Sequence, residues 1–123
     1  MKLRDVIDIL DAEVLAGEGN LDMEIKTACG ADLMSDVLAF VKAGSLLLTG
    51  LTNPQVIQTA NILDIPAIVL VRNKKPSAET IALANQLKIP LLTTKYVLFE
   101  SAGRLYAKGM LAQSIVENTG KRR

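Results

Sequence analysis

At 123 residues, half of them apolar but only 3% aromatic, the chain has room for one domain with an aliphatic core and offers few stacking platforms for single-stranded nucleic acid. Lys121, Arg122 and Arg123 supply three positives, so the formal charge of +1 becomes −2 without them, which excludes a phosphate-backbone binder. Histidine is absent and Cys29 is the single cysteine, which removes the usual serine and cysteine triads, most zinc sites, iron–sulfur ligation and any internal disulfide.

Leu3, Val6, Ile7 and Leu10 keep helical spacing and predict an opening helix. Glu13–Ala16 and Glu24–Ala28 read as short strands around the turn-rich Gly17-Glu18-Gly19-Asn20, together an antiparallel or edge element. Cys29, beside Gly30, reads as a small buried hydrophobe. Asp32 then suits a helix N-cap, with Leu33, Met34, Val37, Leu38 and Val41 on one face and Gly44 as the stop.

A unit stated twice follows. Ser45–Thr49 is an apolar strand, Gly50-Leu51-Thr52 a loop, Asn53-Pro54 a capped helix start, and Leu63-Asp64-Ile65-Pro66 a stop. Ala67–Val71, Arg72–Pro76, a helix capped by Ser77 and Leu87-Lys88-Ile89-Pro90 repeat the order, and Leu91–Thr93 starts a third strand. Continuous apolar strands joined by helices predict parallel pairing with both sheet faces covered. The expected fold is a three-layer α/β domain with a mixed, mostly parallel sheet over residues 1–117, followed by a basic tail, 118–123. A last helix is expected from Lys95 or Tyr96, with Leu98, Ala102, Leu105 and Gly109 on one stripe and Ile115 and Val116 extending it. Its Val97, Phe99, Tyr106, Met110 and Leu111 exceed what one core needs and predict a partner helix, most simply from a second copy. The apolar runs are far too short to span a membrane and the N-terminal stretch lacks a signal-like apolar core, so a soluble cytoplasmic protein is expected.

The chemistry on offer is sparse. No phosphate-binding glycine-rich loop or dinucleotide fingerprint occurs. Asp32 and Asp36, at i and i+4, could hold a divalent metal, although acidic residues at a helix start are also ordinary dipole chemistry. Ligands of open parallel sheets bind beyond the carboxyl ends of the strands. There the chain places Gly50, Thr52, Asn53, Arg72, Lys74, Lys75, Thr94 and Lys95, types that suit a phosphate or carboxylate at a helix N-terminus. Plain capping and loop solvation explain the same residues and are the favoured alternative.

Ala31-Asp32-Leu33-Met34-Ser35-Asp36-Val37-Leu38-Ala39, Leu47-Leu48-Thr49-Gly50-Leu51-Thr52-Asn53-Pro54 and Ile89-Pro90-Leu91-Leu92-Thr93-Thr94 resemble the DRTGG-domain family over roughly residues 1–112. The resemblance implies a fold similar to the N-terminal domains of HPr kinase/phosphorylase and some Mur ligases. It also implies an accessory regulatory or dimer-forming role, as in members attached to phosphotransacetylases and CBS-domain pyrophosphatases, with stand-alone members near hydrogenase and redox subunits. It transfers no catalytic residue and no cofactor. Where many members carry Asp-Arg after the first repeated strand, this chain has Leu51-Thr52, and where they carry Thr-Gly-Gly it has Val71-Arg72-Asn73. The expected function is a non-catalytic, homodimeric regulatory or interaction module for a nucleotide or phosphorylated metabolite, accessory to a redox system. The alternative is a small metal-assisted phosphotransfer or phosphoester-cleaving enzyme using Asp32 and Asp36.

Overall fold

From Thr27 onward strands and helices alternate along the computed structural model, which describes residues 1–113. The elements are α1 (Leu3–Leu10), β1 (Glu13–Ala16), β2 (Thr27–Gly30), α2 (Met34–Phe40), β3 (Ser45–Thr49), α3 (Pro54–Ile62), β4 (Ile68–Leu70), α4 (Ala78–Leu87), β5 (Leu91–Thr93), α5 (Leu98–Ala107) and β6 (Leu111–Ala112). The expected Ile115–Val116 extension and the 118–123 tail lie outside the described residues.

The six strands form one sheet in the order β1-β5-β4-β3-β2-β6, parallel throughout except for the β1–β5 pair. Equivalent positions of the repeat stand side by side: Leu47 opposite Ile68, and Ile68 opposite Leu91. Side chains alternate along a strand, so each buried strand feeds two cores. Leu47, Ile68, Leu70 and Leu91 meet Val37 of α2, Val56, Ile57 and Ala60 of α3, and Ala84 of α4. Leu46, Leu48, Val69 and Leu92 meet Leu3, Val6 and Leu10 of α1 and Leu105 of α5. This is the three-layer α/β domain that the continuous apolar strands require.

The helices end by a shared device. Asp11, Asp64 and Lys88 follow α1, α3 and α4 in the left-handed conformation, and Gly109 has a positive φ after α5. The next residue then donates to the carbonyl five positions back: Ala12 to Ile7, Ile65 to Ala60, Ile89 to Ala84 and Met110 to Leu105. These are Schellman-type closures, three of them built without glycine. The two Ile-Pro pairs therefore follow a stop already made, rather than making it.

Four boundaries differ from the sequence expectation. The second strand is Thr27–Gly30, not Glu24–Ala28, because Ile25 and the residues before it pair with the start of α1: Ile25 donates to the Met1 carbonyl and Leu3 to that of Met23. That strand lies within the parallel sheet beside β3, and β1 alone is the antiparallel edge. Helix α2 stops at Phe40, since buried Val41 is extended, and Gly44 instead shapes the entry to β3. Helix α5 starts at Leu98, and the chain after it turns at Gly109 into β6 rather than continuing as helix. Among the described residues no helix is long and apolar enough to cross a membrane.

Candidate functional site

The connections leaving β3 and β4 pass to α3 and α4 on one face, while the connection leaving β5 passes to α5 on the other. Open sheets usually part at such a reversal and form a ligand crevice. Here the two loops are joined instead. The Arg72 amide donates to the Tyr96 carbonyl at 2.9 Å and the Asn73 amide to the Thr94 carbonyl at 2.8 Å. Both donors sit in the left-handed region, with φ of 60° and 55°. Side-chain residues other than glycine pay for that conformation, and the two interloop bonds offset the cost.

Polar surface concentrates one strand further along. Asp32, just past β2, accepts the Gly50 amide hydrogen on Oδ1 at 2.7 Å. Arg72 reaches the same spot: a Cβ on Gly50 would overlap its terminal guanidinium nitrogen and stand 3.3 Å from Asp32 Oδ1. A bare backbone at Gly50 is what lets the guanidinium lie across the end of β3. Asp32 is thus a bridge between strand ends; the N-cap of α2 is Leu33, which has no side-chain cap bond. Asp36 lies in the first turn of α2, where its charge suits the helix dipole. Among the described residues no three acidic or cysteine side chains gather as a metal site.

The remaining candidates divide. Asn53 caps α3 by accepting the Val56 amide hydrogen at 3.2 Å, and Pro54 removes a further donor, so this helix start has fewer free amides than usual. The Thr52 carbonyl accepts from the Thr80 hydroxyl at 2.9 Å, which fixes this loop to α4. Lys74 is exposed on the Arg72 loop and its carbonyl accepts from the Thr93 hydroxyl. Among the described residues Arg72, Lys74 and Lys75 make no ion pair. Thr94 is buried, and its hydroxyl donates to the Leu10 carbonyl at 2.6 Å, closing the end of α1. Lys95 pairs with Asp11 at 3.7 Å. Gly50, Thr52, Asn53, Arg72 and Lys74 therefore stay with one edge region, whereas Thr94 and Lys95 are committed to α1.

Sequence reasoning missed two features. Asp32 looked like a cap because β2 was placed too early; with the strand ending at Gly30, its position at the carboxyl edge follows. The second is an apolar groove of about 300 Å³ between α5 and the β2–β6 end of the sheet. Its floor is Ala28, Cys29 and Gly30, and Phe99, Tyr106 and Leu111 stand around it. Burial pushes the half-buried Cys29 thiol above its ordinary value.

Comparison with known proteins identifies the family. The chain matches the DRTGG domain over residues 5–107 and belongs to that family. No curated protein sequence matches it. Among solved structures it is similar to the CBS and DRTGG domains of the regulatory region of Clostridium perfringens pyrophosphatase, a structure complexed with its activator, diadenosine tetraphosphate. The two share 18% identity with a TM-score of 0.67 over 95% of this chain. The chain spans 51% of that structure's length.

Proposed function

We propose that this DRTGG-family chain is a non-catalytic regulatory module, homodimeric, whose small-molecule signal is a nucleotide or another phosphorylated metabolite held at the carboxyl edge of its sheet. The observation that carries the ligand is the Arg72–Lys75 loop. Three cations stand there without ion pairs among the described residues, and the Arg72 guanidinium is laid over the bare backbone of Gly50. A phosphate meeting that surface gains charge-assisted hydrogen bonds without first breaking a salt bridge. The similar regulatory region that binds diadenosine tetraphosphate supports the same ligand class.

Thermal unfolding with diadenosine tetraphosphate, ATP, AMP and inorganic phosphate tests it. A ligand at about 100 times its Kd adds roughly 2.7 kcal/mol to stability, a rise of roughly 10 °C for a domain of this size. Arg72→Ala should abolish that rise while leaving the unliganded melting temperature nearly unchanged. No rise with any of the four compounds would remove the ligand. An undiminished rise in Arg72→Ala would move the site elsewhere. Light scattering checks the dimer, and a monomer at micromolar concentration would remove it.

A further inference from the structure

Asp32 puts a negative charge beside Arg72, where it repels the phosphate that the guanidinium attracts. Oδ1 accepts the Gly50 amide hydrogen at 2.7 Å, which orients the carboxylate against the end of β3. Among the described residues Asp32 makes no other hydrogen bond and no ion pair, so Oδ2 keeps its accepting capacity.

The surroundings of that oxygen are set by three strand ends. A Cβ on Gly50 would overlap the Arg72 guanidinium and stand 3.3 Å from Asp32 Oδ1, so the two charged groups flank one point. Leu46 and Leu48 face the α1–α5 side of the sheet, and alternation carries position 50 to that same side. The connection from β5 to α5 crosses this side. The Tyr96 carbonyl accepts from the Arg72 amide past the end of β4, and the Leu98 side chain would stand 3.0 Å from a Cβ on Gly30 at the end of β2. Val97 lies between these two contacts, across the end of β3, and is exposed.

An anion alone makes poor use of this set. Inorganic phosphate meets Arg72 but gains nothing from Asp32, whose carboxylate accepts hydrogen bonds and donates none. A ligand that joins a phosphate to hydroxyl donors and an apolar ring engages the guanidinium, the carboxylate and Val97 together. A nucleotide has that form, since its ribose carries a pair of neighbouring hydroxyls one ring away from the 5′-phosphate. Dinucleotide-binding sheets use the same division of labour, with an acidic residue on the ribose and the phosphates held nearby.

We propose that Asp32 determines the specificity of the phosphate site: its Oδ2 accepts from the ribose hydroxyls of a nucleotide whose phosphate lies on Arg72 and whose base rests on Val97. This rests on the function proposed above and narrows its ligand from phosphorylated metabolites at large to ribonucleotides.

Calorimetric titration of the full chain with AMP, 2′,3′-dideoxy-AMP, ribose 5-phosphate and inorganic phosphate tests it, in wild type, Asp32→Asn and Asp32→Ala, with circular dichroism to establish folding. Asparagine can still accept the Gly50 amide hydrogen, so Asp32→Asn decides the matter even if Asp32→Ala fails to fold. Wild type should bind AMP about tenfold more tightly than the dideoxy analogue, the low end for hydrogen bonds to a charged group. That preference should fall in both variants while inorganic phosphate binds more tightly. Ribose 5-phosphate should bind wild type more weakly than AMP, and equal affinity would overturn the nucleotide. Equal affinity of wild type for AMP and its dideoxy analogue overturns the ribose assignment and leaves the phosphate site standing, as does a preference undiminished in either folded variant. Failure of all four probes to bind overturns both.

Discussion

The Asp32 carboxylate and the Gly50 amide tie together the carboxyl ends of two neighbouring strands, with Oδ1 accepting at 2.7 Å. Both groups keep contact with solvent, so the bond contributes at the lower end of the range for a charged acceptor. Asp32→Ala should cost about 1.5 kcal/mol in urea unfolding. Asp32→Asn keeps an acceptor oxygen and should recover most of that loss. Both changes remove a negative charge from beside Arg72, so both should tighten phosphate binding at the edge, and more so at low salt. If Asn and Ala are equally destabilising, the bond is not what holds these strand ends. If neither raises phosphate affinity, Asp32 is too remote to modulate the proposed site.

Thr94 separates a structural role from a binding one. Its hydroxyl is buried and donates to the Leu10 carbonyl at 2.6 Å. Thr94→Val keeps the shape and leaves that carbonyl without its donor, which should cost about 1–3 kcal/mol. Ligand affinity of the folded fraction should not change. Calorimetric titration of the variant with whichever nucleotide stabilises wild type checks this, and a lost affinity with normal stability would return Thr94 to the site.

The left-handed helix stops give a prediction of opposite sign. Lys88 has φ of 59° and its side chain is exposed, so the residue pays backbone strain for little packing. Lys88→Gly relieves the strain while the Ile89-to-Ala84 hydrogen bond that closes α4 remains. The change should stabilise by about 0.5–1 kcal/mol, after the greater chain entropy of glycine is allowed for. Asp64→Gly, its counterpart in the first repeat at φ 57°, should behave alike. Equilibrium denaturation of both variants measures this, and destabilisation of both would mean the side chains contribute contacts that outweigh the strain.

Much of the scaffold was legible because its signals are local. Apolar runs in Ser45–Thr49 and Ala67–Val71, and caps at Asn53 and Ser77, act within a few residues of where they are written. The site was less legible because its decisive contacts cross the sheet. Asp32 meets Gly50, eighteen positions away, and Thr94 meets Leu10, eighty-four away. Only strand order brings those partners together, and strand order depended on β2 and β6, which carry weak patterns: β2 is half-buried and β6 has two residues. The family resemblance carried the fold for the same reason it could not carry the site. Leu51-Thr52 and Val71-Arg72-Asn73 depart from the family motif at the edge where the ligand is proposed.

Gly17 is the position where a single methyl group should matter most. It has φ of +65°, and a Cβ there would overlap the carbonyl oxygen of Ile89 and crowd the Ile89–Pro90 peptide. That obstacle is backbone, immediately before β5, and it is held by the Schellman closure of α4. It cannot swing aside as the tip of Arg72 could for an added Cβ at Gly50. The Gly17 amide also donates to Asn85 Oδ1 at 2.8 Å, so moving the loop away would break a second link to α4. Gly17→Ala should therefore combine left-handed strain with overpacking and cost about 2–4 kcal/mol. Gly19, with open space around its Cα, provides the contrast: Gly19→Ala should change stability by less than about 0.5 kcal/mol. Urea unfolding of the pair measures the difference. Equal stability of the two variants would show that the β1 edge can shift off β5 at little cost, and that its docking beside the second Ile-Pro is looser than the close approach of Gly17 implies.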